Sequence, residues 1–223
     1  MSNLEETARS LFKEEKVNLI IGFEEGSRHP RPFFCTSTDD IPKLILDKRC
    51  HNNTAVYLTK KDLLGTGLVG IVATLRVLKS ALQLSLENQI NEGQFIFIAG
   101  EDASDVQVLK DKASIQSYVD AHPEIPDSKV EERLHHIESM SREDRWAFWK
   151  NELSKCIRCY ACRAACPLCY CQRCVAEVNC PQWIDPWAAP LSNMEWQVNR
   201  AMHMAGRCTG CGACYEACPL DLP

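Results

Sequence analysis

The sequence predicts a chain in two parts: an α/β module with a small parallel or mixed sheet over residues 1–120, and a mostly α domain over residues 156–223 organised by cysteine. A linker with amphipathic helices, residues 121–155, joins them. Three observations lead there. Twelve of the 14 cysteines fall between Cys156 and Cys218, leaving only Cys35 and Cys50 in front. The front half carries β-branched apolar runs separated by helical periodicity. Between the halves lies AHPEIPDSK, whose Pro123 and Pro126 mark a linker.

Taken in order, Leu4, Ala8, Leu11 and Phe12 recur at a helical period and predict a first amphipathic helix. VNLIIGF (17–23) reads as a buried strand and PFFCTS as a second. DDIPKLILDKRC predicts a short helix with Asp40 as cap, and TAVYLTK either a strand or a short helix. GLVGIVA, TLRVLKSALQLSLENQI and QFIFIAG follow as strand, helix and strand, a βαβ unit expected to be parallel and right-handed.

Gly65, Gly67 and Gly70 spell G-x-G-x-x-G, with Glu87 near the offset of a ribose-binding acid. In the strand-helix-strand parse, however, Gly70 lies within a strand. It is then not at a helix N-terminus that could meet a pyrophosphate. After the linker, Val130, Leu134 and Ile137 share one helix face, and Ser141 with Asp144 caps a helix running to about Lys155. Trp146, Phe148, Trp149 and Leu153 are expected to pack that helix against the cysteine domain. His135 and His136, on a charged helix, are read as surface or packing residues.

The cysteine domain contains C-x2-C-x2-C-x3-C-P twice: Cys156, Cys159, Cys162, Cys166-Pro167, and Cys208, Cys211, Cys214, Cys218-Pro219. This is the spacing of bacterial two-cluster ferredoxins, in which three cysteines hold one 4Fe-4S cubane and the fourth ligates the other. The expected sets are Cys156, Cys159, Cys162 and Cys218 for one cluster, and Cys208, Cys211, Cys214 and Cys166 for the second. Zinc, in an interaction module stapled by metal, is the alternative; zinc sites usually pair two short C-x2-C clips. Cys169, Cys171, Cys174 and Cys180 remain. Three thiols within six residues are too dense for packing and point to a third centre, 4Fe-4S or zinc, whose fourth ligand is Cys180, Cys35 or Cys50.

The net charge of −5 disfavours a nucleic-acid partner. The acidic N-terminus has no signal-peptide pattern, and the apolar run 63–90 is broken by Arg76, Lys79 and Glu87, so no membrane span is expected. Thiolate ligation in an unexported chain suggests the cytoplasm. No Ser/His/Asp or paired-carboxylate constellation stands out, and no catalytic residue is assigned.

CIRCYACRAACPLCYCQRC and RAMHMAGRCTGCGACYEACP, and more loosely VNLIIGFEEG, RCHNNTAVYL and GLVGIV, resemble the iron-sulfur beta subunits of formate dehydrogenases and deazaflavin-reducing hydrogenases. The resemblance is to the versions found beside heterodisulfide reductase-like electron-transfer complexes. It implies an electron-relay subunit with a catalytic oxidoreductase partner and a protein electron acceptor or donor. It also favours Cys50 over Cys180 as fourth ligand of the third centre. A flavin-bearing subunit that reduces a deazaflavin or nicotinamide cofactor is the alternative, from which this chain departs: flavin-bearing members continue beyond the clusters and carry a Cys-Asp pair where this chain has ATLR. The 41-residue spacer between Cys166 and Cys208, with its helical MEWQVNRAMHMAG, resembles the helical two-cluster domains of heterodisulfide reductase and succinate dehydrogenase iron-sulfur subunits.

Overall fold

The computed structural model describes residues 2–15, 17–65, 67–124 and 128–223. Its front half is a five-stranded sheet in the order β2-β1-β3-β4-β5. The strands are β1 (Leu19–Glu24), β2 (Arg31–Cys35), β3 (Val69–Ala73), β4 (Phe95–Asp102) and β5 (Asp105–Leu109). β1, β3 and β4 run parallel at the centre, and β2 and β5 close the edges antiparallel. The central strands read as unbroken apolar runs because both faces are covered. Val69, Ile71, Ala73, Phe95, Phe97 and Ala99 face one core, while Val72, Ile96 and Ile98 face the other.

The first core is covered by α3 (Leu75–Leu86) and α4 (Lys112–Ala121), the second by α1 (Asn3–Lys13) through Leu4, Ala8 and Leu11. Gly70 pairs with Ile20 and Ile96 in mid-sheet, and α3 starts five residues later, so the glycine motif shapes the approach to a strand. Gly67 is needed because a Cβ there would meet the Asn18 side chain at 2.0 Å. The short helix expected in DDIPKLILDKRC is only a 3₁₀ turn, Ile41–Lys43, and TAVYLTK, expected as a strand or a short helix, forms another, Thr54–Tyr57. Asp40 does not cap the first with its side chain. Its carboxylate instead accepts from Ser37 and pairs with Lys43. Pro126 lies outside the described residues.

Beyond the linker come α5 (Ser128–Ser139) and α6 (Arg142–Ser154). On α5 the expected apolar face is uncovered: Val130 and Leu134 are exposed, as are His135 and His136. α6 is capped by Ser141, whose hydroxyl accepts from the Asp144 amide at 3.1 Å, and it packs on α9 (Pro190–Met204). Neither helix buries a residue completely, and Trp146 remains 60% exposed where core packing was expected. Among the described residues no helix is long and apolar enough to cross a membrane.

The cysteine-rich half is fastened to the sheet through α3. Leu168 enters the first core. Ser80 and Thr209 hydroxyls lie 3.2 Å apart. At the C-terminal end of α3 the Glu87 carboxylate accepts from Arg207 Nε at 2.7 Å, Tyr170 Oη at 2.9 Å and Gln83 Nε2 at 2.7 Å, and pairs a second time with Arg207 Nη2. One acid thus ties together the segments before Cys208 and between Cys169 and Cys171. The Arg207 guanidinium holds Glu87 down at about 2; burial opposes this, and Gln83 and Tyr170 assist.

A carboxylate held low stabilises the fold above its ordinary pKa and loses that contribution as pH falls through the lowered one. Urea unfolding should therefore show stability falling as pH drops from 4.5 towards 2, with a shallower fall in Glu87→Gln. The variant should be weaker by about 2 kcal/mol at neutral pH. Equal pH dependences in the two proteins would show that Glu87 is not held by Arg207.

Candidate metal centres

The two C-x2-C-x2-C-x3-C-P runs share one backbone shape. In the first, Arg158 and Tyr160 have φ of 55° and 61°; at the matching places of the second, Gly210 and Gly212 have 69° and 72°. Each alternation throws successive cysteines toward the inside of a loop. A short helix then follows, α7 (Ala161–Ala165) or α10 (Ala213–Glu216), carrying the next cysteine up to Cys-Pro. The Arg158 amide donates to Cys156 Sγ at 3.3 Å, and the Gly210 amide donates to Cys208 Sγ at 3.4 Å. Such N–H groups stabilise negative charge on sulfur.

Three cavities open around these loops. Cys156, Cys159, Cys162 and Cys218 line a narrow cleft of about 20 Å³, together with Ile157 and Leu220. Cys166, Cys208, Cys211 and Cys214 line a cavity of about 800 Å³, with Trp146 and Trp149 on its wall. Here lies the role of the two tryptophans, which cover a cavity and do not fill a core. Cys169, Cys171 and Cys174 line a third cavity of about 260 Å³. Among the described residues no three His, Cys, Asp or Glu side chains converge on the position of a single ion. In each of the first two cavities four thiols surround one space, a donor set suited to a cluster.

Helix α9 serves all three cavities. Its Trp196 is buried and meets Tyr160 edge-on at 5.3 Å. Asn193 Nδ2 donates to the Cys156 carbonyl at 2.6 Å, and Gln197 Nε2 to Cys156 Sγ at 3.4 Å. Arg200 lines the second and third cavities and donates from Nη2 to the Cys162 carbonyl at 3.0 Å; its Nε is buried without a partner. Burial works against the Arg200 charge, but the sulfurs of Cys162, Cys214 and Cys169 outweigh it and raise its pKa. Cys166 and Cys169, from adjacent cavities, perturb each other: the neighbouring Cys169 holds the Cys166 thiol down, while Cys166 and burial push Cys169 up.

Cys50 and Cys35 are placed elsewhere, both in the second core of the sheet among Leu4, Ile20 and Ile41. Burial pushes each thiol up to about 11. Neither lines the Cys169 cavity, and neither does the exposed Cys180. Of the arginines near the runs, Arg163 and Arg207 lie on the third cavity, whereas Arg158 turns away to the carbonyls of Asp185 and Trp187. Arg200 and His203 were missed by sequence reasoning. Their signal was the i, i+4, i+7 stripe Trp196, Arg200, His203 just before Cys208.

A Cβ on Gly210 would meet no atom within 4 Å, so Gly210→Ala isolates the cost of the left-handed backbone. It should destabilise the chain by about 1 kcal/mol, read by denaturant unfolding. A neutral result would show that this loop relaxes freely.

Residues 202–221 match the family model described as a 4Fe-4S binding domain. A 75-residue stretch is 37% identical to the F420-dependent formate dehydrogenase subunit beta of Methanocaldococcus jannaschii, covering 34% of this chain and 19% of that protein. A 57-residue stretch is 36% identical to the F420-dependent formate dehydrogenase 1 subunit beta of Methanococcus maripaludis, covering 26% of this chain and 14% of that one. The matches thus span less than a fifth of either relative. The chain carries a 4Fe-4S binding domain and, over about a third of its length, is homologous to formate dehydrogenase beta subunits.

Proposed function

We propose that this chain is an electron-transfer subunit of a multi-subunit oxidoreductase of formate dehydrogenase or hydrogenase type. In this reading it relays electrons through two ferredoxin-type 4Fe-4S clusters and a third centre between a catalytic partner and an acceptor protein such as a heterodisulfide reductase-like complex. The observation that carries it is the grouping of eleven cysteines around three cavities, with the half-buried Arg200 lining two of them and its charge also acting on Cys162 of the remaining one. The reading assigns Cys156, Cys159, Cys162 and Cys218 to the first cluster, Cys208, Cys211, Cys214 and Cys166 to the second, and Cys169, Cys171 and Cys174 to the third.

Bound clusters supply one-electron acceptors whose potentials follow charge, hydrogen bonds to sulfur and solvent exposure. The chain's own residues set those variables. The amides of Arg158 and Gly210 and the Gln197 side chain donate to sulfur. Arg200 offsets negative charge near sulfurs of all three sets, so it favours the reduced state of each. Trp146, Trp149 and Leu153 limit water at the second cavity. The domain division, 1–120 as mount and 156–223 as relay, and a cytoplasmic location belong to the same proposal.

Iron and acid-labile sulfide on the anaerobically purified chain test it. About twelve irons support three cubanes, about eight support two, and stoichiometric zinc without sulfide would overturn the relay. Cys166→Ser should disturb the electron paramagnetic resonance of the cluster on Cys208, Cys211 and Cys214. A change confined to the Cys156 cluster would refute the crossed ligation. Arg200→Gln should lower cluster potentials by on the order of 50–100 mV, and Arg200→Lys by less. An unchanged potential in the Gln variant would remove Arg200 from the tuning role.

A further inference from the structure

The cavity ringed by Cys169, Cys171 and Cys174 has three thiols on its wall, and no fourth thiol lines it among the described residues. Cys50 is committed to the sheet core, and Cys180 is on no part of this wall. The remaining side chain there with a nitrogen that can ligate is His203; Arg163, Arg200 and Arg207, also on the wall, are permanent cations and pure donors. His203 does not arrive on a loose loop. It lies on the α9 stripe of Trp196, Arg200 and Met204, all of which line the same cavity. The end of that helix is tied down, because Arg207 reaches the His203 carbonyl from Nη1 at 3.5 Å while its other nitrogens hold Glu87.

We propose that His203 is the fourth ligand of the third centre, giving a Cys₃His site for a 4Fe-4S cluster with Cys169, Cys171 and Cys174. The inference rests on the third-centre reading above. Imidazole is a good ligand for iron. As a neutral donor in place of a thiolate, it takes one negative charge from the centre, and histidine ligation raises the potential of an iron-sulfur centre. Three cations around the cavity act in the same direction. A cluster held there would therefore sit at a higher potential than the same cluster with a fourth thiolate. Cys171 and His203 are both exposed, so it also stands where a partner protein can reach it.

The test uses the full chain, isolated anaerobically from cells supplied with 15N-histidine, reduced with dithionite and examined by pulsed electron paramagnetic resonance. The expected result is a strong histidine 15N coupling on one cluster signal, lost in His203→Ala. His203→Cys should keep about twelve irons per chain and lower the potential of that cluster alone. Twelve irons with no histidine coupling in the unsubstituted protein would overturn the proposal and leave the third centre standing with Cys50, Cys180 or water in fourth place. Coupling that persists in His203→Ala overturns it too. About eight irons would overturn both the proposal and the third centre. The unsubstituted protein decides the ligand question by itself if His203→Ala fails to fold.

Discussion

A half-buried guanidinium set among sulfurs constrains the cysteine-rich half. Arg200 cannot lose its proton, and a cation taken out of water is tolerable only if anions or acceptors surround it. Sulfurs from all three cavities and the Cys162 carbonyl surround it here. The loops around it are built from helices of four or five residues, too short to hold a shape alone. Their mutual arrangement follows from the need to pair with Arg200 and to pack on Trp196. α9 is thus the post around which the two cysteine runs are wound, and its own position is fixed by Asn193 bonding the Cys156 carbonyl.

The two runs show how one backbone shape can be reached by different residues. The second uses Gly210 and Gly212 where φ is positive, at little cost. The first puts Arg158 and Tyr160 in the same conformation, which L-residues with a Cβ disfavour by about 1 kcal/mol or more each. That cost is offset locally. Arg158 binds two carbonyls of the spacer, and Tyr160 meets Trp196 edge-on. The first run is therefore held by the spacer and α9, while the second holds its shape through sequence-local freedom.

Much of the fold was legible because its signals were local. The unbroken apolar runs VGIVA and FIFIA, and the helical period between them, place β3 and the start of β4 within a residue or two, while α3 ends at Leu86, four residues short of its expected end. β5 and α4 were not legible: DVQVL is short and half exposed, and α4 begins at an Asp111–Ser114 capping box without the usual acid or amide at its third position. The grouping of thiols around the first two cavities follows their spacing in the chain. What spacing cannot carry is a contact between distant segments. Cys50 is near in no sense that its number reveals, and it packs with Cys35 because both lie on the face of the sheet covered by α1. His203 escaped notice because its stripe with Trp196 and Arg200 shows which helix face it shares but not which cavity that face meets.

The α/β module bears on the cysteine half through the polar contacts of Glu87 as well as through Leu168 and Cys166, which pack on its first core. That acid lies at the end of the helix that crosses from β3 to β4, the stiffest part of the sheet's first face. Through Arg207 it fixes the residue next to Cys208, and through Tyr170 the residue between Cys169 and Cys171. Two cavities are thus registered against one rigid element. In the proposed relay, holding both segments to one carboxylate would keep neighbouring centres at a fixed separation, and the sheet's broad, doubly covered core gives Glu87 a fixed place to stand.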